Sequence, residues 1–206
     1  NRGFGAGINF LVNKVRTKYF LCTQPDVKIY KKNILELKKP FLKNDNCIVS
    51  IPTINKKKIQ KKIKTVTHFI GAIFLSEKIK FSKLKGFDEN FFFYWEDVDL
   101  CYRINESKYK IYLNSNSNAL HLYGKSTSND FETLFLKISN YKFGEYLFQY
   151  KYKKLKIIKI IRAPLSLIFK IILNFLMLNK LKIIENLSNL YGIFKFFKIF
   201  NKVDRF

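Results

Sequence analysis

The stretch that decides the fold is GFDENFFFYWEDVDLCYR, residues 86–103. Five of the chain's 15 acidic residues lie between positions 88 and 99, and six aromatic residues precede the acidic pair Glu96 and Asp97. A helix N-terminus stabilises nearby negative charge and needs one capping carboxylate. The surplus of acid and aromatic residues therefore indicates a functional site at this pair.

Part of the stretch is structural. It predicts a helix over 96–105, with Val98, Cys101 and Ile104 facing the core. Asp99 and Arg103 are four residues apart, so they can form an ion pair along the helix.

Strands alternate with helices as far as residue 122, which indicates an α/β domain. One helix is expected to begin near residue 8. A second is expected over 33–42, ending near Pro40, and a third over 77–84. The basic run 56–64 is expected to be a solvated loop or helix face. Gly71 lies inside an expected strand, where a side chain would obstruct a neighbour. The expected strands are 19–22, 47–51, 66–75, 110–113 and 119–122.

After residue 128 the pattern is helical, and we expect two parts, 1–150 and a basic amphipathic helical tail over 151–206. Residues 131–206 hold 15 basic and 4 acidic residues. The apolar run 163–178 is shorter than the ~20 residues that span a bilayer. We therefore expect the tail to lie on an anionic membrane surface.

The net charge of +24 also invites a nucleic-acid interpretation. Only five of the 39 basic residues are arginine, the residue that reads phosphates and base edges best, so we expect no nucleic-acid partner. Three distant cysteines, Cys22, Cys47 and Cys101, form no zinc motif and are expected to be reduced thiols in a cytoplasmic protein.

Two further positions could carry chemistry. Gln24-Pro25-Asp26 follows an expected strand, where open α/β sheets bind ligands, although taken alone an ordinary turn is favoured. His121 ends the last expected strand and is usually structural there. Its importance rises if Asp26 and Asp97 converge on it.

With these residues in order, the chain resembles family 2 glycosyltransferases of the GT-A fold, nearest their rhamnosyltransferase-like members. Residues 86–103 match the family pattern GFDE-x-FF-x-Y-x-EDxDLCxR position by position. GFGAGxN at 3–9, the turn at 24–26 and H-x-x-G-x-S at 121–126 follow the family's order. The turn departs from the family by having Gln24 where Asn or Asp is usual.

The resemblance implies a GT-A domain over 1–150 that lacks its first strands, and a divalent metal, Mg²⁺ or Mn²⁺. Asp26 would hold the metal on the donor diphosphate and His121 would complete its site. Asp97, paired with Glu96, would be the catalytic base; a helix N-terminus lowers its pKa, whereas burial among aromatic residues raises it. Residues implied in donor or acceptor binding are Gly3, Gly5, Gln24, Gly71, Asp88, Glu89, Trp95 and Ser126.

The implied function is inverting transfer of a sugar from dTDP-rhamnose or a similar nucleotide-sugar to a hydroxyl of a glycan or lipid-linked acceptor. The resemblance implies that the enzyme acts in cell-surface polysaccharide synthesis, at the cytoplasmic, inner face of the membrane. The alternative is a non-catalytic peripheral membrane protein on a degenerate scaffold, against which the intact Asp26, Asp97 and His121 argue. Because Met177 is the single methionine and the chain opens at Asn1, we expect a fragment without its N-terminus that is inactive alone.

Overall fold

The computed structural model describes residues 2–55, 62–122 and 130–200. The chain divides into a sheet unit, Asn1–Glu89 with Glu96–Thr127, and a helical unit, Asn90–Trp95 with Ser128–Phe206. The helices are α1 (Phe4–Lys14), α2 (Lys31–Lys43), α3 (Lys78–Lys83), α4 (Glu96–Asn105), α5 (Phe131–Lys151), α6 (Ile157–Leu176) and α7 (Lys180–Ile199). The strands are β1 (Tyr19–Thr23), β2 (Val27–Ile29), β3 (Cys47–Ile54), β4 (Ile63–Val66), β5 (Ile73–Glu77) and β6 (Lys110–His121).

The sheet unit is built on a mixed sheet with strand order β1-β5-β3-β6-β2. β3 and β6 are parallel, whereas β5 is antiparallel to both β1 and β3. β2 and β4 pair antiparallel with different parts of β6, and β2 pairs with its last residues. This pairing brings the turn after β1 next to the end of β6.

The core of the sheet unit is aromatic and lies against β5, every residue of which is buried. Phe87, from the start of the motif, makes edge-on ring contacts with Phe74 and Phe81. Leu100 and Ile104 of α4 are fully buried in the same core. Full burial of such side chains contributes about 1.5–3 kcal/mol each, which fixes α4 and the motif on the sheet.

The helical unit packs α5 against α7 around Phe143, Tyr146, Leu147, Ile193 and Phe196. α6 differs, because none of its 20 residues, all of them described, is buried. In the described parts of the chain, no helix is both long enough and apolar enough to cross a membrane.

Several predicted elements are confirmed and others are wrong. The strands at 19–22 and 47–51 and the helix at 96–105 are confirmed. The single strand expected over 66–75 is instead β4 and β5 with a loop between them that carries Gly71. Within α4, Cys101 and Ile104 are buried as predicted, but Val98 is exposed.

Two interruptions expected from the sequence do not occur. α2 continues through Pro40 to Lys43. The two strands expected at 110–113 and 119–122 form one strand, β6, whose polar middle is held by α2: Asn114 donates to the Glu36 carbonyl and Ser117 to the Asn33 carbonyl. In the basic run, 56–61 lie outside the described residues, and Ile63 begins β4.

Candidate active site

Asp26 and His121 form a buried pair at the edge of the sheet. The pairing of Val27 with His121 in the β2–β6 register places the two side chains together, with His121 Nε2 3.4 Å from Asp26 Oδ2. Both residues are less than a tenth exposed. The Leu122 N–H donates to the Asp26 carbonyl at 3.0 Å, which ties the backbone of the turn to the end of β6. Of the two acids expected to converge on His121, Asp26 therefore contacts it, whereas the hydrogen bonds of the Asp97 carboxylate are to Gly71 and Val98.

Asn55 holds the backbone of His121 in this pair, although no motif in the sequence pointed to it. Its side-chain amide donates to the His121 carbonyl and its Oδ1 accepts from the His121 N–H, both at 2.8 Å. Asn55 adopts a left-handed backbone with φ of 56° directly after β3. Asparagine tolerates that conformation better than most residues. An Asn shortly after a predicted strand is therefore the sequence feature that could have identified this position.

Asp97 lies in the first turn of α4, with its carboxylate held by two backbone N–H groups. Gly71 donates to Oδ2 at 2.9 Å and Val98 donates to Oδ1 at 2.8 Å. Burial raises the pKa of Asp97, and these backbone hydrogen bonds lower it by less. The sequence left open whether the helix N-terminus or burial has the larger effect on the pKa of Asp97. Burial has the larger effect, so Asp97 is a stronger base than an ordinary aspartate.

Glu96 is buried beside it. Burial, followed by the negative charge of Asp97, raises the pKa of Glu96 to about 7. Its Oε2 accepts no hydrogen bond from any described residue. Gly5 of α1 lies against this corner, because a Cβ there would be 2.9 Å from Phe87 Cβ and 3.6 Å from Glu96 Cβ. Gly5 thus permits the close approach of α1 to the motif.

Hydrogen bonds of two neighbouring backbone groups, at Gly71 and Ala72, connect Asp97 to the turn that carries Asp26. The Gln24 N–H donates to the Ala72 carbonyl at 3.0 Å, and the neighbouring Gly71 N–H holds Asp97. A Cβ at Gly71 would make only ordinary contacts at 3.5 Å, so the predicted obstruction there is wrong. Gly71 acts through its N–H. The loop between β4 and β5 therefore couples the turn that carries Asp26 to the start of α4.

The rest of the motif holds this arrangement in place. Arg103 Nε binds the fully buried Asp99 at 2.8 Å, confirming the predicted ion pair, and its guanidinium also donates to the carbonyls of Leu84 and Gly86. Asn9 Nδ2 donates to the Phe87 carbonyl at 2.8 Å, and Asn9 Oδ1 accepts from the Phe87 N–H at 3.0 Å. These contacts join α1, the motif loop and α4.

The remaining predicted site residues are more dispersed. Glu89 is exposed and accepts from Asn9 Nδ2 at 3.1 Å, and Asp88 is half-buried. Gly3 is the N-cap of α1, with a φ of 97°. Trp95 belongs to the helical unit. Ser126 lies outside the described residues.

The fit of a divalent metal rests on Asp26 and His121. Among the described residues, no group of three His, Cys, Asp or Glu side chains is arranged to hold a metal ion. A carboxylate oxygen and an imidazole nitrogen 3.4 Å apart are nevertheless a suitable donor pair for Mn²⁺. Within residues 2–55, 62–122 and 130–200, the pair thus offers two ligands for such an ion.

Comparison with known proteins bears on the fold of the chain. Residues 53–125 match a family model described as the N-terminal domain of galactosyltransferase. No curated protein matches the chain. Among solved structures, the crystal structure of GalNAc-T7 with UDP, GalNAc and Mn²⁺ superposes with a TM-score of 0.55 at 12% identity, covering 77% of this chain and 39% of that one.

The fold is that of a GT-A glycosyltransferase domain. The predicted fold class is thereby confirmed. The chain spans about two fifths of the length of the GalNAc-T7 chain. Family 2 membership and rhamnosyl specificity remain predictions.

Proposed function

We propose that the protein is an inverting glycosyltransferase that moves a sugar from a nucleotide-sugar donor to an acceptor hydroxyl. The observation that supports this most is the half-buried Asp97 carboxylate, anchored by Gly71 and linked through the same loop to the turn of Asp26. A degenerate scaffold would have no need to keep both a carboxylate with a raised pKa and a buried Asp–His pair.

In this proposal Asp97 is the general base. It accepts the acceptor hydroxyl proton while the acceptor oxygen bonds to the anomeric carbon and the bond to the nucleoside diphosphate breaks. General-base catalysis of this kind contributes typically ~10²–10⁴-fold. The N–H groups of Gly71 and Val98 orient the carboxylate, and Glu96, whose pKa is about 7, can hold or release a proton beside it.

Asp26 and His121 would hold a divalent metal, Mg²⁺ or Mn²⁺. When bound, the metal neutralises the negative charge of the donor diphosphate. The two side chains are already positioned by Asn55 and by the β2–β6 pairing. Gln24 would contribute through its backbone position rather than as a charged ligand, which places more of the binding on Asp26.

The donor is proposed at two levels. A nucleoside-diphosphate sugar is the general class, in line with the galactosyltransferase family model and the UDP found in the GalNAc-T7 structure. The motif resemblance favours dTDP-rhamnose or a similar deoxysugar donor of family 2 type, with a glycan or lipid-linked acceptor in cell-surface polysaccharide synthesis. A UDP-hexose is the competing donor.

The metal assignment is tested by Asp26→Ala in the full-length protein. Mn²⁺ together with a UDP- or dTDP-sugar should raise the melting temperature of the wild type, and the variant should lose this Mn²⁺-dependent increment. Asp45→Ala, at an exposed position before β3, is the matched control and should respond like the wild type. A full Mn²⁺-dependent increment in Asp26→Ala would refute the assignment of Asp26.

We also propose that the catalytic part is 1–150 and that the tail 151–206 attaches the protein to the cytoplasmic face of a membrane. α6 leaves large apolar side chains exposed along its length, including Leu165, Phe169 and Ile172. Lysines and one arginine accompany them, so the surface suits an anionic bilayer. Contiguous exposed apolar area of this kind marks an interaction site.

Vesicle flotation tests the tail. Wild type should float with vesicles that contain phosphatidylglycerol and bind less to pure phosphatidylcholine. Leu165→Ser/Phe169→Ser should lose most of this binding, whereas Leu42→Ser, an equally exposed position on α2, should not. Equal flotation of all variants would exclude α6 as the attachment surface. Retained flotation with no transfer activity in any form of the protein would favour the non-catalytic alternative.

A further inference from the structure

The helical unit contains an apolar groove of about 580 Å³ that is lined by residues of α5, α6 and α7. Its floor includes Ile193, which is buried, and its rim includes Leu187, Tyr191 and Phe194, which are exposed. Ligand sites in proteins are typically clefts of roughly 300–1,000 Å³. The groove therefore has the size of a ligand site, and its exposed rim makes it accessible from outside.

The wall of the groove offers very few hydrogen-bonding groups. α5 contributes Phe135 and α6 contributes Pro164, and the Tyr191 hydroxyl is the single polar side-chain group among the described residues that line the groove. A bound peptide would bury polar backbone groups here without partners, which is costly, whereas a hydrocarbon chain has no polar groups to bury. The composition of the wall therefore favours a hydrocarbon chain as the occupant.

Exposed apolar residues of α6 adjoin the groove. Residues three and four positions apart are neighbours on a helix, so Ile161 and Ile168 lie beside Pro164 on the same face. Both isoleucines are exposed. Leu165 and Phe169, which carry the proposed membrane attachment of the tail, belong to the same helix. That attachment would hold the groove at the bilayer surface, where lipid chains are available, and in this respect a lipid site here rests on the proposed function.

The rim of the groove is positively charged at Lys198. Its Nζ lies 4.6 Å from the centroid of the Phe194 ring, which lines the groove. α7 is described throughout and carries four lysines but one acidic residue, Glu185, which forms an ion pair with Lys182 at 2.9 Å. Glu145 of α5 is likewise held by two lysines. Lys198 thus presents a positive charge beside an apolar wall, which suits a ligand that joins an anionic group to a hydrocarbon chain.

We propose that this groove binds one hydrocarbon chain of an anionic membrane phospholipid, with the lipid phosphate at Lys198. The chain would gain affinity from the apolar area that it buries, and the lysine would bind the phosphate as a point charge. The exposed surface of α6 can adsorb to many lipids at once, whereas the groove holds a single lipid. The site therefore predicts saturable binding of a lipid that is not part of a bilayer.

The probe is lauroyl lysophosphatidylglycerol below its critical micelle concentration, titrated into the full-length protein by calorimetry. We expect saturation at one lipid per chain. Lauroyl lysophosphatidylcholine, which has the same chain and no net charge, should bind about two- to fivefold more weakly, and Lys198→Gln should remove most of this difference between the headgroups. Lys180→Gln, at an exposed position at the start of α7, is the matched control and should retain the difference.

The apolar wall is tested by filling it. Leu190→Trp places a large side chain in the groove and should weaken binding of the lauroyl chain by about tenfold or more. Leu187→Gln, at the exposed rim, is a second variant that leaves the interior of the unit unchanged and should weaken binding several-fold. Leu181→Trp, at an exposed position of α7 outside the groove, should bind like the wild type. Urea unfolding of each variant confirms that the fold is retained.

The outcomes separate the groove from the membrane attachment. Absence of saturation, wild-type binding by both groove variants, or an unchanged headgroup difference in Lys198→Gln would overturn the lipid site, while vesicle flotation through α6 would stand. Saturable binding of the monomeric lipid without flotation would support the groove and refute the attachment. Concentration-dependent dimerisation in sedimentation velocity that Leu190→Trp abolishes would assign the groove to a second copy of the chain and overturn the lipid site.

Discussion

Helices α4 and α6 differ in which side chains they bury and which they expose. Half of the ten residues of α4 are buried, and two of these are the carboxylates Glu96 and Asp99. α6 is twice as long, and none of its residues, all within the described part of the chain, is buried although most are apolar. Packing in the sheet unit therefore keeps charged groups inside, whereas the helical unit keeps an apolar surface outside.

The contrast indicates where each unit makes its functional contacts. A buried carboxylate costs several kcal/mol unless it is paired, so it persists where an ion pair or a function compensates. Asp99 has Arg103, whereas the buried Glu96 lies at the proposed reaction site, next to the half-buried Asp97. An exposed apolar helix costs the fold little and marks a contact surface.

The largest expected effect is on the ion pair of α4. Arg103→Met leaves Asp99 fully buried without its cation and should lower the free energy of unfolding by about 3–5 kcal/mol. Lys170→Met on the exposed surface of α6 should change it by about 0.5 kcal/mol or less. Urea unfolding measures both. Equal effects would remove the contrast, and Asp99→Asn/Arg103→Met should recover part of the loss.

An apolar truncation sharpens the same contrast. Leu100→Ala creates a cavity in a fully buried part of α4 and should cost about 2–5 kcal/mol, whereas Leu165→Ala on α6 should cost about 0.5 kcal/mol. The midpoints of urea unfolding distinguish them. A comparable loss at Leu165 would show that α6 packs more tightly than its exposure indicates.

A smaller effect concerns Glu96 and pH. Its folded pKa of about 7 exceeds the ordinary value of 4.5, so the folded state binds more protons between these values. Stability should therefore fall as pH rises from about 4.5 to about 7, by on the order of 2–3 kcal/mol. Glu96→Gln should remove this fall and be more stable than the wild type at alkaline pH.

The pH experiment has a matched control in Glu106→Gln, at an exposed position just after α4. This control should retain the wild-type fall in stability. If Glu96→Gln retained it as well, the pH dependence would belong to another group and Glu96 would not be the buried acid described above.

The sequence predicted α4 to the residue because the acidic pair, the i,i+4 ion pair and the apolar spacing all indicate the same helix. It could not predict that β6 is continuous, because the partners of Asn114 and Ser117 lie on α2, far away in the chain. Asn55 was missed for the same reason: its value comes from the His121 backbone, which only strand pairing brings near. The exposure of Val98 likewise depends on where α4 packs.

The proposed role of Asp97 is tested most directly by Asp97→Asn in the full-length protein, with donor binding and turnover measured on the same preparation. The asparagine keeps an oxygen that can accept from Gly71 but cannot take up a proton. We expect kcat to fall by about 10²–10⁴-fold with the donor dissociation constant unchanged. Turnover close to the wild-type value would contradict the assignment of Asp97 as the base.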